Sequence, residues 1–308
     1  MRKRQCAKLI TQSLVLATIY VVALSTAHGQ ASSLLEKDAI NRSATSAVSI
    51  CEDAAAPSSL KNALRQVCLR KPAGTVDFTI QKTIIIGFVG GFVKHDDARH
   101  PEVHFAACLR DRYPSRIHAE VFSNHDGQKA LRQVLHLLDT DRDGALTAVE
   151  KEHARIIIYG HSWGASETVT LARELGRNGI PVLLTIQVDT IAKPKQKGSI
   201  IPSNVANAVN FYQPGGLLHG RSEILAADPA RTKIIGNFRM TYENHPINCD
   251  NYPWLARTFD KPHHEIENDP RVWDQAASLI DSELSDPASS VTSLRTSEGR
   301  QVGPDNSN

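Results

Sequence analysis

The chain has 308 residues, of which 41% are apolar and 22% charged, and this ordinary composition excludes disordered and fibrous proteins. Its formal net charge is +2. Residues 1–29 hold four basic residues and no acidic ones, so the remainder carries a net charge of −2. The basic character therefore belongs to the N-terminal segment, and no nucleic-acid partner is expected.

The N-terminal segment, residues 1–29, has the three parts of a secretory signal peptide. Basic residues at positions 2–8 precede an apolar stretch over residues 9–24, and Ala27 and Gly29 supply the small residues of a cleavage site. An uncleaved anchor is the alternative, although a membrane span needs about 20 predominantly apolar residues. We expect an exported protein, periplasmic or extracellular, with membrane contact only through an uncleaved signal.

Four cysteines remain beyond the signal segment, and an even number in an exported protein predicts disulfides. Cys51 and Cys68 are close in sequence, so we favour that pair, with Cys108–Cys249 as the remainder. Free buried thiols are the alternative interpretation.

Composition and hydrophobic periodicity divide the rest of the chain into three parts. Residues 30–77 form an N-terminal extension with a predicted helix at 58–69, and residues 286–308 lack periodicity and are predicted to be a disordered tail. Between them, residues 78–285 alternate β-branched runs with apolar residues at helical spacing. This alternation predicts one α/β domain, a mostly parallel sheet with helices on both faces.

The elements of this domain follow from the two periodicities. The predicted strands are Lys82–Gly87, His118–Ser123, Arg155–Tyr159, Pro181–Val188, Ala208–Tyr212 and Lys233–Phe238. The predicted helices are Gly127–Leu138, Gly164–Leu175 and Val272–Leu284.

A nucleophile motif follows the third strand, where Gly160-His-Ser162-Trp-Gly164 matches G-x-S-x-G and leads into a helix. In this strand–turn–helix setting the serine sits on a sharp turn with its hydroxyl above the sheet edge. The flanking glycines let strand and helix approach each other. The helix N-terminus favours negative charge that develops at the serine.

With this motif, the sequence resembles the α/β-hydrolase superfamily of lipases, esterases and thioesterases from about Lys82 to Leu284. The resemblance rests on GHSWG, on the turn GFVGG at 87–91 and on the order of the acid and base residues. It implies a small-molecule or lipid ester substrate. It also implies two backbone oxyanion donors, the N–H of Trp163 and one after the first strand, for which we choose Phe88, then Val89.

The superfamily order Ser, Asp or Glu, then His implies the acid and the base. Asp189 ends the strand after the nucleophile, on the same rim of the sheet, and Asp228 is its rival. The base comes from the segment KPHHEIENDP, in which His263 lies three residues before Ile266. His264 remains the alternative, since two adjacent side chains cannot both face the serine.

A calcium loop is predicted at residues 139–150, which match D-x-D-x-D-G-x₅-E and resemble an EF-hand loop. The glycine at 144 permits the sharp turn. A single loop with a short exiting helix indicates a structural Ca²⁺ rather than a regulatory one. The predicted oxygen ligands come from Asp139, Asp141, Asp143, Ala145, Thr147 and Glu150.

Together these features predict an exported serine hydrolase that cleaves carboxylic or lipid esters through a Ser162–Asp189–His263 triad and an acyl-enzyme. An amidase or peptidase on the same residues is one alternative. The other is a non-catalytic, calcium-binding recognition protein on a hydrolase scaffold. Residues 239–262 are rich in aromatic and turn residues and are expected to overhang the site.

Overall fold

The computed structural model describes residues 82–193, 198–250, 252, 254 and 260–285. The predicted signal peptide, the N-terminal extension with Cys51 and Cys68, and the C-terminal tail lie outside these residues. Within the described part of the chain, no helix combines the length and the apolar character that a membrane span requires.

Six parallel strands form the central sheet, and two short strands pair with each other beside it. In chain order the strands are β1 (Thr83–Val89), β2 (Ile117–Ser123), β3 (Ile156–His161), β4 (Val182–Val188), β5 (Ile200–Ile201), β6 (Val205–Tyr212), β7 (Leu225–Ala226) and β8 (Lys233–Arg239). The sheet order is β2-β1-β3-β4-β6-β8. Every residue of β1, β3 and β4 is buried, as the continuous β-branched runs predict.

Helices cover both faces of this sheet. They are α1 (Pro101–Arg112), α2 (Gly127–Leu138), α3 (Ala148–Glu152), α4 (Trp163–Arg177), α5 (Lys261–Glu267) and α6 (Pro270–Ser285). One core cluster joins α1 and α6 to the sheet, and a second joins α2 and α4 to its other face. The predicted class, a mostly parallel sheet with helices on both faces, is therefore confirmed.

Two helices beside the site, α1 and α5, have no counterpart among the predicted elements. The buried face of α1 includes Glu102 as well as Phe105 and Leu109. On α5 the buried residues are mostly polar, and Ile266 is the aliphatic one among them. Because polar residues occupy core positions, the apolar spacing that indicates a helix is broken in both segments.

The predicted disulfide between Cys108 and Cys249 is wrong. Cys249 is a free, buried thiol, and burial raises its pKa to about 12, with smaller contributions from the nearby charges of Glu265 and Glu267. Cys108 is disulfide-bonded, so its partner is a cysteine other than Cys249.

Candidate active site

Ser162 forms the one-residue turn between β3 and α4, at the carboxyl edge of the sheet. Its backbone has φ 58° and ψ −122°, a conformation that residues other than glycine rarely adopt. Its N–H donates to the carbonyl of Val188 at 2.9 Å, and its carbonyl accepts from the N–H of Ile191 at 3.2 Å. The strained turn is therefore held from the end of β4.

The two glycines of the motif are required by close backbone contacts. A Cβ on Gly164 would lie 2.3 Å from the carbonyl oxygen of Phe88 in β1, and one on Gly160 would lie 2.6 Å from the carbonyl carbon of Gly164. No side chain fits at either distance. The absence of a Cβ lets the first turn of α4 rest directly on β1.

The three residues predicted as nucleophile, acid and base form one continuous hydrogen-bonded chain. His263 Nε2 lies 3.0 Å from Ser162 Oγ, and His263 Nδ1 lies 2.6 Å from Asp189 Oδ2. All three residues are buried, with exposed fractions of 8% for Ser162, 4% for His263 and 0% for Asp189. Ser162 and Asp189 follow neighbouring strands, and α5 presents the histidine to both.

The alternatives for acid and base lie elsewhere. Nδ1 of His264 faces Glu267 Oε2 at 3.4 Å, and the ring of Tyr252 packs on His264 with centroids 4.2 Å apart. Asp228 accepts a hydrogen bond from the N–H of Ala230 within its own turn. The segment expected to overhang the site is described only in part, and its Tyr252 lies against α5.

Asp189 is held by donors that the sequence did not single out. Its Oδ1 accepts from the N–H groups of Gly220 at 2.7 Å and Gln213 at 3.2 Å, and its Oδ2 accepts from Gln213 Nε2 at 2.8 Å. The backbone of Asp189 has φ 45°, and a Cβ on Gly220 would lie 2.3 Å from the carboxylate. A buried ionised carboxylate is thus fully hydrogen-bonded.

The pKa of His263 is raised above the ordinary value for histidine. Burial alone would lower it, but the hydrogen bond and charge of Asp189, with the charges of Glu267 and Asp260, outweigh that effect. The imidazolium form is therefore stabilised by the carboxylate behind it.

His161, the residue before the nucleophile, packs its ring on that of His263 with centroids 4.5 Å apart. Burial, together with the neighbouring His263 and His264, lowers the pKa of His161 to about 3, although the charges of Glu267 and Asp189 oppose the shift. The buried environment of His161 therefore disfavours a positive charge beside the base.

The structure corrects the choice of Phe88 as an oxyanion donor. Phe88 lies inside β1, paired with Phe122 of β2 and Gly160 of β3, so it does not follow the strand as expected. Val89, the second choice, is the last residue of the same strand. The turn that approaches the nucleophile begins at Gly90, where a Cβ would lie 3.0 Å from the Cβ of Ser162. Trp163, the other predicted donor, is the first residue of α4, where backbone N–H groups have no partner within the helix.

A cavity of about 550 Å³ opens beside the acid. It adjoins Thr190 and Gly220, which neighbour Asp189, and it lies on that side of the site rather than at Ser162. The remaining lining residues are Ile191, Ala192, Tyr212, Pro214, His219, Arg221 and Ser222.

In the predicted calcium loop, the three aspartates converge. Ligand oxygens of Asp139, Asp141 and Asp143 lie within 4.8 Å of one another. Asp139 Oδ2 accepts from the N–H of Gly144 at 3.0 Å, whereas its Oδ1 is buried without a hydrogen-bond partner among the described residues. Gly144 has φ 85°, the left-handed conformation that the sharp turn needs. This oxygen-only donor set suits a hard cation.

Glu150 draws the two ends of the loop together. One carboxylate oxygen accepts from the N–H and hydroxyl of Thr140 at 2.7 and 2.8 Å, and the other accepts from those of Thr147, both at 2.9 Å. The hydrogen bonds from the backbone of Thr147 and Thr140 lower the pKa of Glu150 to about 2. Both oxygens of Glu150 are thus held by threonines, and Glu150 is not among the residues whose ligand oxygens converge with those of the three aspartates.

No protein-family model matches the sequence, and no curated protein matches it either. Among solved structures, the chain is similar to an arylesterase at 11% identity, over 73% of this chain and 88% of that one, with a TM-score of 0.35. A YdeN-like hydrolase from Pectobacterium atrosepticum matches at 13% identity, over 74% and 98%, with a TM-score of 0.34. A cutinase-like protein from Cryptococcus sp. matches at 10% identity, over 68% and 98%, with a TM-score of 0.34.

The chain has the α/β-hydrolase fold. The topology of the chain supports this assignment. The central sheet is parallel, and Ser162 directly follows a central strand, in a sharp turn that leads into a helix. Fold alone does not assign an activity.

Substitution of Gly164 should test the contact between α4 and β1. Because its Cβ would meet backbone atoms of Phe88, Gly164→Ala should lower the free energy of unfolding by about 3 kcal/mol or more, measured by urea denaturation. Thr170→Ala on the same helix is the control and should cost about 1 kcal/mol or less. Equal stability of the two variants would show that α4 does not approach the strand so closely.

Proposed function

We propose that this chain is an exported serine hydrolase that cleaves carboxylic or lipid ester bonds through an acyl-enzyme. The observation that carries the proposal is the hydrogen-bonded chain from Asp189 through His263 to Ser162. Its three members have the roles of orienting acid, general base and nucleophile, in the order typical of this fold. Export rests on the sequence of residues 1–29.

The proposed reaction begins when Ser162 Oγ attacks the ester carbonyl and His263 Nε2 takes its proton. The imidazolium that forms is stabilised by Asp189, and it returns the proton to the departing alcohol. Water then attacks the acyl-enzyme, again with His263 as base. The N–H of Trp163 and the Gly90-Gly91 turn are the proposed oxyanion donors, and each such donor contributes about 3 kcal/mol in the transition state.

The strained nucleophile and the fully bonded acid favour an enzyme over a non-catalytic recognition protein. Ser162 and Asp189 both have positive φ. Residues held in such conformations cluster at active sites. An amidase or peptidase would use the same groups, so the choice among esters and amides is left to the substrate series below.

We also propose that residues 139–150 bind one structural Ca²⁺. The support is the convergence of Asp139, Asp141 and Asp143 and the Oδ1 of Asp139, which has no hydrogen-bond partner among the described residues. Backbone carbonyl and threonine oxygens at Ala145 and Thr147 would complete the donor set. The ion would link the end of α2 to α3, directly before the strand that leads to Ser162.

The serine mechanism is tested with p-nitrophenyl esters of increasing chain length, with matching p-nitroanilides for amidase activity. Ser162→Ala should lower kcat by about 10⁴-fold or more. Ser166→Ala, a buried serine one turn later, is the matched control and should remain active. A fluorophosphonate probe should label the parent chain and the Ser166 variant only. Absence of labelling in the parent chain would reject the proposal and favour the recognition protein.

The pH dependence of kcat/KM tests the pairing of His263 with Asp189. Only neutral imidazole accepts the serine proton, so activity should rise with pH through a pKa above about 6.5. Asp189→Asn removes the hydrogen bond and charge that raise this pKa. It should therefore move the acid limb to lower pH and reduce kcat by about 10⁴-fold. Asp228→Asn is the control, and an acid limb that stays in place in Asp189→Asn would contradict the assignment.

Calcium should stabilise the chain and affect activity only through stability. A concentration near 100 times the dissociation constant should add about 2.7 kcal/mol to the free energy of unfolding, seen as a rise in Tm. Asp139→Asn should abolish the rise, whereas Glu152→Gln removes the same charge from the exposed end of α3 and should keep it. An unchanged Tm in excess chelator would refute the calcium site.

A further inference from the structure

A second buried cluster lies behind the histidine of the triad, and the proposed reaction does not use it. It consists of His100 before α1, Glu102 on α1, His161 at the end of β3 and Glu267 at the end of α5. Glu102 and Glu267 are 0% and 1% exposed, and His161 is 3% exposed. These four residues are called the His–Glu cluster below.

Three residues of the His–Glu cluster bring their ligand atoms together, and the fourth, His161, lies beside two of them. One ligand atom each from His100, Glu102 and Glu267 lies within 4.8 Å of the other two. His161 Nδ1 is 3.6 Å from Glu102 Oε1 and 3.7 Å from Glu267 Oε2. Ligand atoms around a tetrahedral zinc, with bonds of about 2.0–2.1 Å, are about 3.3 Å apart. The two distances from His161 are close to this value, and the ligand atoms of the other three residues lie near enough to one another to share one ion.

The buried carboxylate of Glu102 is not stabilised by side-chain hydrogen bonds to the described residues. Neither of its carboxylate oxygens has a hydrogen-bond partner among the described residues, although the side chain is fully buried. By contrast, the buried Asp189 has a donor for each of its oxygens. Buried polar atoms without partners are rare in native proteins and point to an additional group that binds them.

The carboxylates of the His–Glu cluster have no lysine or arginine beside them among the described residues. In the part of the chain that the structure describes, the ion-pair partners of Glu102 and Glu267 are histidines, and no lysine or arginine is among them. A divalent cation would balance both carboxylates at once.

We propose that His100, Glu102, His161 and Glu267 bind a divalent transition metal of the zinc class. Mixed imidazole and carboxylate ligands suit Zn²⁺, whereas Ca²⁺ prefers oxygen alone and belongs to the loop at 139–150. Nδ1 of His100 lies 2.5 Å from Glu267 Oε1, so metal binding displaces the proton between them.

The metal would connect three segments that position the proposed triad. His161 directly precedes Ser162, and Glu267 follows His263 by one turn of α5. The third segment is the start of α1. Because His161 also packs on the ring of His263, the metal would fix the surface against which the base rests. We therefore assign the metal a positioning role, exerted through His161 and Glu267.

Metal content of the full chain tests the proposal directly. After purification in Zn²⁺ and dialysis against calcium-containing buffer, elemental analysis should find about one zinc per chain. Glu102→Gln should lower zinc affinity by at least about 100-fold, since loss even of groups that merely support a ligand costs 10–100-fold. Glu265→Gln changes another buried carboxylate on α5 and should retain the metal.

Two further variants separate this site from the others. Asp139→Asn, in the calcium loop, and Ser162→Ala should both keep the zinc, so the result is independent of calcium binding and of hydrolysis. Zinc retained equally by Glu102→Gln would overturn the proposal. If that variant fails to fold, the parent chain is titrated with Co²⁺, whose visible absorption reports a tetrahedral site. A parent chain that holds no zinc and gives no such spectrum would also overturn it.

Discussion

The contact between the first turn of α4 and β1 is the constraint on which the rest of the site depends. Gly164 rests on the carbonyl of Phe88 at a distance that excludes any side chain. With the helix so close, the chain must reverse direction at Ser162, which therefore has φ 58°. Hydrogen bonds to Val188 and from Ile191 hold this strain. The fold thus fixes the position of the serine hydroxyl, and His263 on α5 lies within hydrogen-bond distance of it.

The parts of the fold that depend on neighbouring residues could be predicted from the sequence. The helix Gly127–Leu138 has the predicted bounds, and the central strands follow from their β-branched runs. Ser162 and Asp189 could be singled out for the same reason, since each directly follows a buried parallel strand. The end of β1 was placed too early, because Phe88 and Val89 continue the strand past Gly87, and the oxyanion turn was misplaced with it.

The helices built around buried polar residues could not be predicted, although His263 itself was singled out as the base. Helices α1 and α5 place Glu102, His263, His264 and Glu267 in the interior, where the periodicity of a helix normally requires apolar side chains. Gln213 orients Asp189 from a loop 24 residues away, and nothing in its local sequence distinguishes it from a turn residue. In each case the missing signal belongs to a polar residue that is buried in or beside the site.

The buried carboxylates of Asp189 and Glu102 differ in the hydrogen bonds that the protein donates to them. Asp189 receives four hydrogen bonds, from Gln213 twice, from Gly220 and from His263, so its charge is stabilised without any ligand. Glu102 has no hydrogen-bond partner among the described residues, and the basic side chains within ion-pair distance of Glu102 and Glu267 are histidines. Because the cost of burying a charge is the same in both places, the missing partner of Glu102 must come from a proton or from a cation. The ring of His161 lies between the two groups and packs on His263, so whichever of these occupies the cluster sets the environment of the base.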